Sequence, residues 1–393
     1  MGSVLKSFWG KVGGGGSSAQ YANGFSKAPV SNQLFPKTNP AVDGEECLRD
    51  CETCTIKYPR KWSIAEDRDI YGQVKGWSTH MIVATGKSDW VRLISQEWKS
   101  LDVVKEKGSI MEAVDKCGVK PSNGRMMLSA SDMPVPNEHH AADGAEASTT
   151  VLLLPTFTMF DNVTPSLVPA LIQKYVDTSP TNTTPLVRRD SPQRLQSSHS
   201  HDGSQTDRAP DSSALIPRDC PHEYLILLCS HKTRDARCGQ SAPLLRREFE
   251  RHLRPLGLYR DLHDERPGGC GIYFINHVGG HKFAANVIIY RRACSAGVVV
   301  PPAVEREEPA DREWGDRAVA SKGVEAMDKP SAGKAAAPSK PPIREVTQCM
   351  WLARVRPDDC ENIVKYTILQ GKLVKPERQL RGGFDRGRQL VSW

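Results

Sequence analysis

The sequence predicts an α/β fold made of two folded units separated by polar linkers. Three observations carry this. Short apolar runs of strand length alternate with segments of helical spacing. One run, Tyr224-Leu-Ile-Leu-Leu228, is apolar throughout, as a strand buried on both faces requires. Two stretches, 179–219 and about 303–345, are Pro-rich and polar or charged, compositions that do not build a core.

The elements follow in chain order. Residues 1–44 are rich in Gly, Ser, Asn and Lys and are expected to be disordered. An N-terminal α/β domain is expected over 45–178. Within it, His80–Thr85, Arg125–Ala130 and Thr150–Thr158 read as strands. Trp90–Trp98 has helical spacing, with Trp90, Leu93, Ile94 and Glu97, and Ser88 or Asp89 is placed to cap that helix. Val168–Val176 reads as a helix with Leu171, Ile172 and Tyr175 on its apolar stripe. Residues 179–219 form a disordered linker. The second domain spans 220–393 with a disordered insertion at about 303–345. It holds the Tyr224–Leu228 strand and a helix over Ser241–Arg254 that stops before Pro255. Strands at Gly271–Asn276 and Ala284–Tyr290 follow, joined by a Gly-rich loop. A strand at Gln348–Arg354 and a helix at Cys360–Gln370 complete it. The basic tail Arg378–Arg388 carries one aromatic, Phe384, and reads as solvated surface.

Composition narrows the function classes. The 393 residues carry 53 Lys and Arg against 46 Asp and Glu, a net charge of +7 that selects no partner by itself. No membrane span is expected, since no apolar run approaches about 20 residues, and nucleic-acid binding is not expected from basic stretches with a single aromatic. The 11 cysteines are an odd number in a long chain, which fits thiols or metal ligands better than a secreted disulfide framework. The first 42 residues contain Lys6, Lys11, Lys27 and Lys37 and no acid, as an import peptide would. They lack Arg, however, and Gly13–Gly16 interrupts any amphipathic helix. A cytoplasmic location is expected, with the mitochondrion as the alternative.

The second domain holds two pairs of potential ligands. Cys229 and Cys238 are separated by eight residues, and His277 and His281 by three, including Gly279 and Gly280. Both pairs leave the end of a strand, where open α/β sheets place their sites. The glycines argue for a loop between the histidines that lets backbone approach a bulky group. Two thiolates and two imidazoles can hold zinc or a [2Fe–2S] cluster. The eight-residue loop is long for a zinc finger and suits a wider two-iron unit.

These residues also carry a resemblance. Cys229-x8-Cys238 and His277-Val-Gly-Gly-His-Lys-Phe-Ala-Ala-Asn-Val-Ile-Ile-Tyr290 resemble the sucrase/ferredoxin-like family of thioredoxin-like ferredoxins. Supporting stretches are Arg234-Asp-Ala-Arg-Cys-Gly-Gln-Ser-Ala-Pro-Leu-Leu245, Thr85-Gly-Lys-Ser-Asp-Trp90, Gly371-Lys372 and Arg381-Gly-Gly383. The resemblance implies a C-terminal thioredoxin-like ferredoxin domain behind an N-terminal α/β domain. It implies a [2Fe–2S] cofactor held by Cys229, Cys238, His277 and His281, and a non-enzymatic role in electron transfer or redox sensing. The ending Leu390-Val-Ser-Trp393 resembles that of cytosolic iron–sulfur clients, which implies the cytosolic iron–sulfur assembly machinery as a partner of an exposed Trp393. A thiol–disulfide oxidoreductase and a zinc-stabilised adaptor stand as alternatives.

Other motifs are weaker. Cys47-x3-Cys51-x2-Cys54 is one ligand short of a tetrahedral metal site, and Cys51 with Cys54 forms a possible dithiol. Cys220, His231, Cys270 and Cys294 are expected to pack or face solvent. Gly86-Lys87-Ser88 is no phosphate loop, because Met81 stands where that motif needs Gly.

Overall fold

A computed structural model describes residues 23–90, 108–136, 148–186, 215–292 and 345–393. Among the described residues, thirteen strands form one mixed sheet. In chain order they are β1 (Ser26–Lys27), β2 (Thr79–Ala84), β3 (Met126–Ser131), β4 (Thr149–Leu154), β5 (Thr158–Val163), β6 (Pro217–Asp219), β7 (Tyr224–Cys229), β8 (Tyr259–Arg260), β9 (Cys270–Ile275), β10 (Val287–Arg292), β11 (Val346–Leu352), β12 (Leu380–Asp385) and β13 (Leu390–Val391). The helices are α1 (Ser31–Leu34), α2 (Pro40–Asp43), α3 (Ile110–Lys116), α4 (Val168–Leu171), α5 (Ala236–Leu253), α6 (Cys360–Asn362) and α7 (Pro376–Gln379). A wider turn continues α4 over Ile172–Val176, and another continues α6 over Ile363–Ile368.

The sheet runs β1-β13-β12-β11-β10-β7-β9-β3-β2-β4-β5-β6, with β8 beside β9. Strands of both segments expected to form domains therefore lie in one sheet. They meet where Ser131 of β3 pairs with Ile275 of β9. Asp132 reinforces the seam. Its carboxylate accepts from Phe274 N at 2.7 Å and pairs with Arg246 at 3.1 Å.

β7 is apolar throughout because both its faces are covered. Tyr224, Ile226 and Leu228 pack against Ala242, Leu245 and Phe249 of α5. Leu225 and Leu227 point into the opposite core, with Trp77, Ile288, Tyr290, Trp351 and Phe384. The side-chain period of two splits one apolar run between two cores. A third core unites Met81, Val83, Val151, Leu153 and Phe160 with Val168, Leu171 and Ile172.

The structure corrects several expectations. Residues 23–44 are ordered, not disordered: Phe25, Leu34 and Phe35 are fully buried, and β1 pairs in parallel with β13. Three large apolar side chains within eleven residues outweigh the polar composition around them. The Thr150–Thr158 strand is the first arm of a hairpin, β4–β5. The α5 helix begins at Ala236, five residues before the expected start. Asp235 caps it by accepting from Arg237 N, which places its first turn at the end of β7. The basic tail is only partly solvated: Arg388 is exposed, but Arg381 and Arg386 are 3% and 1% exposed. Arg386 donates to the carbonyls of Thr184 and Val346 and pairs with Glu345. The expected helix beyond Trp90, Cys294 and most of the 303–345 insertion lie outside the described residues.

Candidate metal centre

Strands β7 and β9 are parallel and in register, so Cys229 lies opposite Ile275 and both strands end at one edge. Helix α5 starts at that edge. Cys229 at the end of β7, Cys238 in the first turn of α5 and His277, two residues past β9, therefore converge there. Cys229 and Cys238 are 2% and 0% exposed, whereas His277 to Gly280 are half-buried. His281 opens the turn His281–Phe283, four positions further along the same loop.

The Cys229–Cys238 connection is held from outside. Ser230 Oγ donates to Ser88 O at 2.6 Å, and Thr233 N and Oγ1 donate to the Asp89 carboxylate at 3.1 and 2.8 Å. This gives Asp89 a role the sequence did not suggest: it ties down the loop between Cys229 and Cys238. His277 N donates to His231 Nδ1 at 3.4 Å, so His231 keeps its proton on Nε2 and donates to Trp90 O at 2.8 Å. The buried His231 thus joins the histidine loop to the Thr85–Trp90 segment. A Cβ on Gly239 would run into Lys232, which is why the residue after Cys238 carries no side chain.

The histidine loop is gripped by Arg381 of β12. Its guanidinium donates to Gly279 O at 3.0 Å, Asn286 Oδ1 at 2.7 Å and Gln73 O at 2.8 Å, and stacks 4.6 Å from the Trp351 ring. A Cβ on Gly280 would collide with it, and Gly280 also holds φ at +69°. Burial pulls Arg381 down to about 10, and the negative sulfur of Cys229 pulls it back up.

Cys229 itself is held well below the ordinary thiol range. Donation from the Cys238 thiol is the main cause, followed by His277, and together they overcome burial. Cys238 moves the opposite way, because it supplies that hydrogen bond and is buried. A thiolate is the metal-binding form of cysteine, and the convergent donors here are soft sulfur and imidazole nitrogen. Arg381 offsets the negative charge this donor set brings into a buried place.

The sucrase/ferredoxin-like family profile matches residues 70–382, which include all of these side chains. The chain belongs to the sucrase/ferredoxin-like family. Actin patches distal protein 1 of Saccharomyces cerevisiae is 30% identical over 285 residues, covering 70% of this chain and 82% of that protein. Altered inheritance of mitochondria protein 32 of Clavispora lusitaniae is 27% identical over 154 residues, 39% of this chain and 33% of that protein. The protein of that name from Debaryomyces hansenii is 41% identical over 66 residues, 17% and 20% of the two chains. No solved structure matched.

Several residues of this sucrase/ferredoxin-like chain lie elsewhere. Cys220 and Cys270 sit at the opposite edge of the sheet, where Cys270 faces Tyr224 at the start of β7. Burial raises both thiols, Cys220 to about 11, which leaves them unreactive. Trp393 is not the exposed anchor expected. It is half-buried, with its ring 4.5 Å from that of Trp77 and packed over Gly76. Among the described residues, no helix is long and apolar enough to cross a membrane.

Sequence reasoning offered Asp89 only as a helix cap and gave Arg381 and His231 no role in the site. The Arg381-Gly-Gly383 and Thr85–Trp90 stretches were visible as family features, but neither is near the ligands in sequence.

Proposed function

We propose that this sucrase/ferredoxin-like protein binds one [2Fe–2S] cluster through Cys229, Cys238, His277 and His281 and serves in electron transfer or redox sensing. The observation that carries the reading is the buried Cys229 sulfur, stabilised as a thiolate between Cys238 and His277 and faced by Arg381. The order β9-β7-β10-β11, with β7 and β9 parallel, supports the thioredoxin-like reading of this region.

When bound, the cluster supplies one-electron chemistry, and imidazole ligation raises its potential relative to all-thiolate ligation. The protein's own groups set the conditions. The buried cysteines exclude water from one side, and the half-buried histidine loop leaves the other side nearer to solvent and to a redox partner. The Arg381 cation opposes the charge gained on reduction. An assembly factor that recognises Ser392-Trp393 would first have to lift the ring from Trp77.

The contact between Cys229 and Cys238 also favours a second reading, a dithiol that cycles to a disulfide. Their burial opposes it, because a substrate disulfide needs access to a sulfur. One experiment separates the two. Anaerobically purified protein should be coloured and contain two irons and two sulfides per chain. Colourless protein without acid-labile sulfide would refute the cluster. A disulfide between these cysteines in that protein would favour the dithiol.

A further inference from the structure

A second group of metal-type donors lies at the other end of α5. Cys51 Sγ, His252 Nε2 and a Glu361 carboxylate oxygen all lie within 4.8 Å of one another. Cys238 and His252 stand fourteen positions apart along the helix, a rise of about 21 Å, so this group is distinct from the centre above. Its donors come from three parts of the chain: the irregular segment after Glu45–Leu48, the last turn of α5, and α6. From the sequence, Cys51 and its neighbours lacked a further ligand. The fold brings His252 and Glu361 to it.

We infer that Cys51, His252 and Glu361 form a zinc(II) site that fastens residues 45–54 to α5 and α6. The spacing fits. His252 Nε2 lies 3.9 Å from Cys51 Sγ and 3.6 Å from Glu248 Oε2, both long for a strong hydrogen bond. Zinc–nitrogen and zinc–sulfur bonds of about 2.05 and 2.3 Å at a tetrahedral angle give an N···S edge of about 3.6 Å, so small rotations would close the group around an ion. The donor chemistry fits as well: one thiolate, one imidazole and one carboxylate form a zinc set whose two negative charges match a divalent cation.

A cation already stands beside the sulfur. Arg251 Nη2 donates to Cys51 Sγ at 3.3 Å and is itself held by Glu248 at 2.7 Å. An outer guanidinium of this kind orients a sulfur ligand and balances the added carboxylate. Beyond Glu45–Leu48, residues 49–62 form no helix or strand. Their ties to the C-terminal half include Cys51 N to Asp358 O and Asn362 Nδ2 to Arg49 O.

The test uses the full chain purified under reducing conditions, analysed for zinc and then loaded with cobalt(II) as a spectroscopic substitute. Wild type and Cys229→Ser should each retain about one zinc. With cobalt, both should show a near-ultraviolet thiolate-to-metal band. Cys51→Ser should lose the band, and Glu361→Gln, at an exposed position that tolerates substitution, should weaken zinc affinity at least tenfold. Arg251→Gln should weaken it about 10-fold, the scale of an outer-shell contact. A zinc content and cobalt band unchanged in both Cys51→Ser and Glu361→Gln would overturn the site. Absence of both signals in wild type would do the same. Loss of metal from Cys229→Ser alone would assign it to the other centre and also overturn this one.

Discussion

Strand β7 ends on Cys229 and strand β9 begins on Cys270, and the two edges of the sheet treat these cysteines in opposite ways. At the carboxyl edge, Cys229 receives hydrogen bonds from Cys238 and His277 and is held as a thiolate. At the amino edge, Cys270 and Cys220 are equally buried and are pushed towards the neutral thiol. Histidine shows a similar division. His222 at the amino edge contacts the Tyr273 hydroxyl at 2.9 Å, and burial lowers it to about 4, whereas His277 faces the Cys229 sulfur. Burial alone makes such groups inert. Burial with aimed donors holds one of them as a thiolate, and the donors arrive only where a helix begins and a loop returns.

The sharpest way to break this contrast is to remove a sulfur from each edge. Cys229→Ser is expected to abolish visible absorbance and iron binding, while Cys270→Ala keeps the spectrum and costs about 1 kcal/mol of stability in denaturant unfolding. Equal loss from both variants would erase the distinction.

Arg381 tests whether the carboxyl edge is held from across the sheet. In Arg381→Met, the oxygens of Gly279, Asn286 and Gln73 lose their donor. At about 1 kcal/mol each, the expected cost is about 3 kcal/mol, read as a lower denaturation midpoint. Hydrogen exchange should quicken in residues 277–281 before it does in β7. Unchanged exchange there would show that the loop holds itself.

Ligand substitution sharpens the chemistry. His277→Cys should keep a cluster and lower its potential by on the order of 100 mV, following the difference between mixed and all-thiolate ligation. An unchanged potential would remove His277 from the ligand set.

The smallest effect concerns pH at the amino edge. The folded state lowers His222 from its ordinary value near 6.5 to about 4. Between those values the unfolded chain binds the extra proton, so stability is full above pH 6.5 and falls as pH drops towards 4. The slope can approach about 1.4 kcal/mol per pH unit. His222→Gln should flatten the stability profile in that window, measured by urea unfolding at several pH values.

Much of this chain was legible in its sequence. The apolar run at 224–228, the helix before Pro255 and the strands at 271–276 and 348–354 all appear, displaced by a few residues at their ends. Local patterning decides those elements. The positions of Cys229, Cys238 and His277 were legible too, because each ends or follows a strand or lies in the first turn of a helix. Residues 23–44 were not legible, because their composition is polar and their order comes from Phe25, Leu34 and Phe35 finding a distant core. The tail was misread for the same reason. Arg381 and Arg386 look solvated until β12 is placed between β11 and β13.

The sequence alone determined which segments are strands and helices and which thiols and imidazoles lie at strand ends, since period and spacing are local properties. Tertiary structure decided which of those side chains meet and what charge they carry. It seated an arginine from β12 under a loop a hundred residues earlier, and it joined Cys51 to His252 and Glu361. Contacts between residues remote in the chain, and the loss of water around them, set both outcomes, and no local pattern encodes either.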